Sequence, residues 1–359
     1  MLKTIEFYLI KLFIKKIIIV SLIFLCLLFI LSVFGEITFF NNAELNFFLP
    51  FLITALDSPS TLFEIFPFIF LISTQFFFIE LIDKNELETL KTHGLNNFKI
   101  IKLLFFTSMM LGLILILFYY HFSSKLKFIY FDLKNAYSGD NKYLAVATKN
   151  GLWIKDEMDE KIYIINANYI EDHFIRNVTI NEFNDEFELI QIIKSPKVDI
   201  SNVQWIIFNP NISKDNTTIE LEESMIIKTH FNQNKINNLF KNLSSLNIFE
   251  LLQLQKDYKA LGYSANEIKS QLHKLMSFPI YLTLMSLLSS VIMFNIKRNK
   301  PIIFHIMLGI LLSTLIYYFY YLFNLMGETG KIPIIASTWL PFLLLAIFIS
   351  IGLVRINEK

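Results

Sequence analysis

The chain has 359 residues, of which 54% are hydrophobic and 38 are phenylalanine, and its formal net charge is +1. That apolar content exceeds what a soluble domain of this size needs, and the balanced charge does not indicate a protein that binds polyanions such as nucleic acid. The single cysteine, Cys26, excludes both an intrachain disulfide and a zinc site built from several cysteines.

Three apolar runs in the first third of the chain predict membrane spans, because about 18 or more apolar residues are enough to cross a bilayer. The first run is too long for a signal peptide and is not followed by a small-residue cleavage site, so we interpret it as a span. A short interfacial segment, LNFFLPFLITALDSPS, is expected to lead into the second run. The three runs are about Ile17–Phe40, Thr61–Ile82 and Ile100–Tyr120.

The stretch DKNELETLKTHGLNNF separates the second and third runs and predicts an amphipathic helix over about residues 83–95. Glu86 is charged, whereas Leu87 and Leu90 are apolar and share a helix face because of their spacing. Gly94 readily takes the left-handed conformation that ends a helix. Such a helix either lies in the membrane interface or is gripped by a cytosolic protein. In the second case Glu86 suits an arginine on that partner.

The middle of the chain is polar and consists of short runs with partial period-two alternation, separated by Gly, Asn, Asp and Pro turn signals. About eight such strands predict an all-β jelly roll or a related sandwich. Trp153 and Trp205 fall in two of the predicted strands. They either pack in the core of the sandwich or line an interior that accommodates lipid.

A helical segment then leads into three further apolar runs, about Leu275–Ile296, Ile302–Met326 and Pro333–Val354. The predicted fold class is an α-helical membrane protein with six transmembrane helices (3 + 3) and an inserted all-β jelly-roll domain. The predicted domains are residues 1–124 with the first three spans, 125–245 with the β-domain, and 246–359 with the connecting helix and the last three spans.

Lysine and arginine in the short loops predict the orientation, because these residues are enriched on the cytoplasmic side of membrane proteins. In a six-span chain all the basic segments fall on one side, which we take as the cytoplasm, and the β-domain falls on the exported side. These segments are the N-terminal flank, Lys84–Lys102, Lys297–Lys300 and Arg355–Lys359.

The sequence lacks the short motifs of nucleotide binding and catalysis. It contains neither a G-x-x-x-x-G-K-[ST] phosphate-binding loop nor an H-E-x-x-H motif, and it contains no G-x-S-x-G nucleophile elbow. We therefore expect no enzyme activity, no cofactor and no metal in this chain, and no ATP binding through a phosphate-binding loop of its own.

Polar side chains near the spans are the remaining candidates for a site. Glu36, near the outer end of the first span, either faces lipid headgroups or faces a cavity, where it meets a polar substrate or a partner helix, since a charge deep in the bilayer is costly. Glu64 is expected at the start of the second span's helix, where the dipole favours an acid. The run LIYYFYYLF has more tyrosines than an interfacial belt needs. Some of Tyr317, Tyr320 and Tyr321 are therefore expected to line a cavity.

Three segments resemble, in the right order, parts of the LptF/LptG permease family. The segment ELETLKTHGLNNFKI looks like the family's coupling-helix region, and NGLWIKD with YIINANYI resembles the first strands of its periplasmic β-jellyroll. The ending KIPIIASTWLPFLLLAIFISIGL resembles its last span. The resemblance covers nearly the whole chain, and GLWIKD favours LptG over LptF.

This resemblance implies a permease subunit of an ABC exporter that extracts lipopolysaccharide from the bacterial inner membrane and passes it to a periplasmic β-jellyroll bridge. The implied partners are an LptB-like ATPase dimer, an LptF-like permease subunit and an LptC-like anchor. The alternatives are a membrane-anchored β-domain scaffold and a permease for another lipid or a lipoprotein.

The resemblance also implies roles for particular residues. Val33 stands where the LptG first span carries a lysine, one turn before Glu36. If that lysine contacts the lipid A phosphates, this chain must contact them otherwise or handle a less phosphorylated lipid. Coupling to the ATPase would fall to Glu86, Leu87, Leu90 and Gly94. The substrate cavity would be lined by Glu36, Val33, Phe66, Tyr317, Tyr320 and Tyr321, and the lipid slot of the β-domain by Trp153 and Trp205.

Overall fold

The computed structural model describes residues 4–40, 48–92, 95–137, 152–158, 161–171, 173–214, 217–220, 224–229, 231–233, 236, 242–260, 264–294 and 301–357. The chain divides into two compact units. The first unit comprises Met1–Tyr130 and Asn266–Lys359, and the second comprises Phe131–Ala265.

Six helices of the described chain are long and apolar enough to cross a membrane, which confirms the predicted 3 + 3 spans. The third span is interrupted by one π-helical turn, and a short helix, α3 (Glu86–Thr92), joins the second span to the third. The spans are α1 (Thr4–Phe40), α2 (Leu49–Asp83), α4 with α5 (Asn97–Ile114 and His121–Tyr137), α7 (Asn266–Phe294), α8 (Ile302–Glu328) and α9 (Ile334–Asn357).

The first two helices extend well beyond the apolar runs that predicted them. Helix α1 begins at Thr4 and includes the basic flank. Helix α2 begins at Leu49, so the segment predicted to be interfacial is part of it. Glu64 therefore lies inside α2, about four turns from its first residue, and the expectation that it starts the helix is wrong. Hydropathy detects only the part of a helix that lies in lipid, whereas backbone hydrogen bonding continues into water.

An aromatic cluster packs beside the π-helical turn, Leu115–Tyr120. The Phe63 ring of α2 stacks on Phe278 of α7 with centroids 4.3 Å apart, and it lies 5.2 Å from Tyr120. The Tyr119 hydroxyl donates to the Pro59 carbonyl at 3.1 Å. Consecutive tyrosines of the turn thus contact one helix, and π-turns of this kind often lie at functional positions.

Helix α7 lies at the centre of the first unit. In its most apolar 18-residue stretch 89% of the residues are buried, whereas 17% are buried in the corresponding stretches of α1 and α8. Small polar side chains help it pack closely, as when the Ser108 hydroxyl of α4 donates to Ser286 at 3.0 Å. Helices α1 and α8 therefore leave most of their apolar surface to lipid or to another protein chain.

The second unit contains an antiparallel sheet, which confirms the predicted insertion of a β-domain between the third and fourth spans. In the described ranges it has nine strands, in the order β1-β2-β4-β5-β6-β9, with β3 paired to β4, and β7 paired to β5 and β8. The strands are β1 (Leu152–Met158), β2 (Lys161–Ala167), β3 (Tyr169–Glu171), β4 (Phe174–Asn184), β5 (Leu189–Asp199), β6 (Gln204–Phe208), β7 (Asn211–Lys214), β8 (Thr217–Glu220) and β9 (Met225–Lys228).

A row of isoleucines crosses the middle of this sheet. Ile154 pairs with Ile165, Ile165 with Ile180, and Ile180 with Ile193. All four side chains are buried, and β-branched cross-strand pairs of this kind stabilise a sheet. After the sheet, α6 (Ile248–Ala260) buries Leu251 and Leu254 on one face, so the predicted connecting helix packs as part of this unit.

Candidate functional site

Helix α3 begins immediately after a sharp turn at Asn85, whose φ of 57° places it in the left-handed region. Asparagine is one of the few residues other than glycine that adopt this conformation readily. Glu86 is the first residue of α3 and Glu88 also lies in its first turn, where the helix dipole favours negative charge. The local sequence therefore explains both the turn and the acidic start of the helix.

The carboxylate of Glu86 contacts the N-terminal part of α1. The Tyr8 hydroxyl donates a hydrogen bond to Glu86 Oε2 at 2.8 Å. Around this bond a groove of about 270 Å³ is lined by Thr4, Ile5, Tyr8, Glu86, Thr89 and Leu90. The first two turns of α1 thus face α3, and the hydrogen bond between Tyr8 and Glu86 joins the two helices.

A pair of ionic contacts also holds the same region. Lys16 of α1 pairs with Glu80 of α2 at 2.5 Å, and Lys84 pairs with the same carboxylate at 2.7 Å. The hydrogen bond to Glu80 raises the pKa of Lys84 above its ordinary value. Both sides of the Asn85 turn are therefore tied to α1, through Glu80 on one side and Glu86 on the other.

The structure describes two of the three other predicted coupling residues. Leu87 and Leu90 are half-buried, and Leu90 lies in the groove beside Glu86. Gly94, the predicted helix stop, lies outside the described residues.

A separate cluster of polar groups lies toward the predicted outer end of the first unit. The Tyr130 hydroxyl donates to Glu36 Oε1 at 2.9 Å, and the Lys127 ammonium lies 5.0 Å from the centre of the Tyr130 ring. Lys127 is also ion-paired with Asp57. Glu36 is about 20 residues beyond Lys16 on α1, a distance of about 30 Å that matches the hydrocarbon thickness of a bilayer.

Several residues predicted to line a substrate cavity are enclosed within the described first unit. Glu36 is 8% exposed, and Val33 and Phe66 are buried as well. Phe66 packs edge-on against Tyr119 with ring centroids 5.3 Å apart. Tyr320 turns inward, where its ring lies 4.9 Å from that of Phe342.

Tyr317 and Tyr321 face outward instead, with 45% and 52% of their surfaces exposed. Of the six predicted cavity residues, these two lie on a surface that a ligand or another chain can reach. Their role in a cavity stays a prediction.

The two tryptophans of the β-domain have different environments. Trp205 is fully buried and its indole N–H donates to the Phe231 carbonyl at 2.9 Å, as core packing requires. Trp153, opposite Asn166 in the sheet, is 51% exposed. The sequence grouped them as one lipid slot, whereas only Trp153 offers an accessible ring.

Sequence reasoning missed Tyr8, Lys16 and Lys127. Each contacts an acid far away in the chain, and a basic or aromatic residue beside a span is common enough to carry no signal by itself. Among the described residues, no group of three or more His, Cys, Asp or Glu side chains could hold a metal ion.

The model of one protein family matches residues 7–355 of the chain, nearly its full length. That family is described as lipopolysaccharide export system permease LptF/LptG. The chain belongs to the LptF/LptG family. A comparison with curated proteins gave no match.

Membership accounts for the architecture of the chain. A multi-pass permease with six spans and an inserted β-domain is the membrane component of an ABC-type lipopolysaccharide export system. The match does not distinguish LptG from LptF. The chain is a transporter subunit of a family that is not known for enzymes.

Proposed function

We propose that this chain is the LptG-like permease subunit that pairs with an LptF-like subunit to extract lipopolysaccharide from the bacterial inner membrane. An LptB-like ATPase dimer supplies the energy, so the chain binds no cofactor of its own. The β-domain lies in the periplasm, where it joins an LptC-like anchor and receives the lipid for a β-jellyroll bridge. Helix α3 is the point at which ATPase closure reaches the spans.

The position of α3 carries the coupling part of this proposal. A seven-residue charged helix lies between two membrane spans, and its first carboxylate contacts α1 through Tyr8. A connection that only reversed the chain would need neither the acidic first turn nor a contact to a third helix. Lys16 and Lys84 lie at the same end of the spans, and basic residues there favour the cytoplasmic side, where an ATPase is found.

The uneven coverage of the spans supports a permease that works as a pair. In each of α1 and α8, 17% of the residues in the most apolar 18-residue stretch are buried within the chain. Tyr317 and Tyr321 of α8 are exposed. A partner permease packed beside α1 and α8 would cover part of this surface and enclose the rest as an apolar cavity for acyl chains.

The first experiment is purification of the chain with the ATPase and the second permease of the same organism, followed by lipid analysis. Wild type is expected to retain the ATPase and a lipopolysaccharide-type lipid. Glu86→Arg reverses the charge that would meet an arginine on the ATPase, so it is expected to lose the ATPase. Glu186→Arg makes the same charge change on an exposed β-domain turn and should retain it.

Three outcomes separate the candidate functions. If Glu86→Arg loses the ATPase and Glu186→Arg retains it, the result supports the exporter. If no ATPase binds to wild type and both variants behave in the same way, the result favours the membrane-anchored scaffold. An ATPase-containing complex that carries a different lipid or a lipoprotein would retain the permease and replace its substrate.

A further inference from the structure

The Tyr8 hydroxyl is the one side-chain hydrogen-bond partner that Glu86 has within the described part of the chain. It lies 2.8 Å from Oε2, and no described side chain bonds to the other carboxylate oxygen. A carboxylate can accept bonds at both oxygens. The geometry therefore leaves one oxygen of Glu86 to receive an N–H group from a protein that docks on α3.

We propose that Tyr8 is a positioning residue for the ATPase contact. It fixes the Glu86 carboxylate and ties α3 to the N-terminal part of α1. This inference rests on the proposed role of α3, and it gives Tyr8 a specific part in that role. Tyr8 does not itself touch the ATPase in this proposal, since it acts through Glu86.

Fixing Glu86 matters because a glutamate side chain is flexible. Its freedom must be given up when a partner binds it, and a bond that holds it beforehand lowers that cost. Glu86 also stands directly after the Asn85 turn, so the hydrogen bond fixes the start of α3 as well as the side chain. A docking protein would meet an acid that is already oriented.

The surroundings of the bond favour a lasting contact between α1 and α3. Thr4 and Ile5 lie one turn before Tyr8, and Thr89 and Leu90 lie one turn after Glu86; all four line the same groove. Lys16 holds Glu80 two turns farther along α1. Because α1 is joined to the chain on both sides of Asn85, a displacement of α3 is passed directly to the first span.

The test is a double-mutant cycle on ATPase affinity, measured with the full permease pair in nanodiscs and the LptB-like ATPase of the same organism. The variants are Tyr8→Phe, Glu86→Ala and the combination. Tyr8→Phe keeps the ring and removes the hydroxyl, and it is expected to weaken binding by about 3- to 10-fold. In the Glu86→Ala background it should have no further effect, because the residue it positions is gone.

Tyr258→Phe is the control, since it removes a hydroxyl from a tyrosine of α6, which belongs to the second unit and not to the helices that carry the coupling site. Its affinity should equal that of wild type. A second measurement needs no ATPase: a nitroxide at residue 89, in a Cys26→Ser background, reports the mobility of α3. Tyr8→Phe is expected to raise that mobility and Tyr258→Phe to leave it unchanged.

The outcomes distinguish this inference from the proposed function. If Glu86→Ala weakens binding but Tyr8→Phe does not, the coupling role of Glu86 stands and that of Tyr8 is overturned. If Tyr8→Phe has the same effect with and without Glu86, its role is only structural and the inference is again overturned. If Glu86→Ala itself binds like wild type, the coupling site fails and the role of Tyr8 fails with it. Unchanged nitroxide mobility in Tyr8→Phe also overturns the inference, even where Glu86→Ala binds too weakly to complete the cycle.

Discussion

Gly112 of α4 lies directly against the backbone of Pro279 in α7. A Cβ atom at Gly112 would come within 2.7 Å of Pro279 Cα and 3.0 Å of its Cβ. Glycine at this position lets α4 approach the central helix closely, just before the π-helical turn. Close backbone approach at small residues is a usual way for helices to pack within membranes.

Gly112→Ala is expected to destabilise the first unit. The atom that a new methyl group would meet belongs to the backbone of a proline-containing helix, so it cannot move aside as a side-chain end could. Overpacking of this kind costs about 1–3 kcal/mol. The free energy of unfolding, measured by titrating the purified protein from mild detergent into SDS, checks the prediction.

Gly35→Ala provides the control within the same unit. Apart from the neighbouring backbone of α1 itself, no atom lies within 4 Å of the position its Cβ would take, and alanine is favoured over glycine inside a helix by up to about 1 kcal/mol. It should leave stability unchanged or raise it. Equal losses in both variants would show that the Gly112 contact is not what limits the substitution.

Glu80→Gln is expected to weaken the attachment of α1 to α2. The substitution removes the charge that Lys16 and Lys84 share, and it leaves the largely buried Lys16 ammonium without its acid. A partly screened pair of this kind contributes about 1 kcal/mol. The difference from wild type in unfolding free energy should shrink as salt is raised, because salt screens charge pairs near the surface.

Lys84→Gln is the matched control for Glu80→Gln. It removes the more exposed lysine and leaves the Lys16–Glu80 pair intact, so its unfolding should stay close to that of wild type. If Lys84→Gln were as destabilising as Glu80→Gln, the important contact would be the one within α2 and not the one to α1.

The spans and the β-domain could be predicted from sequence because each has its own periodic or compositional signal. Helix ends could not. The N-terminal part of α1 is basic, and the first part of α2 contains Asp57 and Pro59. Polar residues and prolines usually indicate a boundary, yet α2 runs through both. Packing against the other helices decides where such a helix begins, and hydropathy contains no information on that packing.

The candidate site likewise contains one residue that the sequence could predict and one that it could not. Glu86 could be found because acid, spacing and helix stop lie within one stretch of sequence. Tyr8 could not, since the 78 residues that separate it from Glu86 leave no local pattern. The tyrosine-rich run illustrates the limit in another way. The sequence predicts that some of its rings face a cavity, but only helix packing turns Tyr320 toward Phe342 and leaves Tyr317 exposed.

Asn85→Val is expected to disturb the turn that precedes α3. The φ of 57° at Asn85 suits asparagine and glycine, whereas a β-branched residue in the left-handed region costs about 1–2 kcal/mol. Besides lower stability, Asn85→Val should show reduced ATPase binding because the start of α3 shifts. Asn85→Gly should retain both properties, and a loss with glycine as large as that with valine would mean that the asparagine side chain, and not its φ, is required.

Trp205→Phe and Trp153→Phe are expected to separate stability from lipid contact in the β-domain. Trp205 is fully buried and bonded to the Phe231 carbonyl at 2.9 Å. Losing its larger ring and its N–H should cost about 2–4 kcal/mol. Trp153 is half-exposed, so its replacement should change the free energy of unfolding by less than about 0.5 kcal/mol.

Lipid contact is expected at position 153 and not at position 205. A photo-crosslinking amino acid at position 153 is expected to label lipopolysaccharide in the assembled exporter, because this side chain lies on an accessible face of the sheet. The same amino acid at position 205 should label the protein's own core. Labelling of lipid from position 205 but not from position 153 would mean that the lipid enters the sheet interior and that the domain opens to admit it.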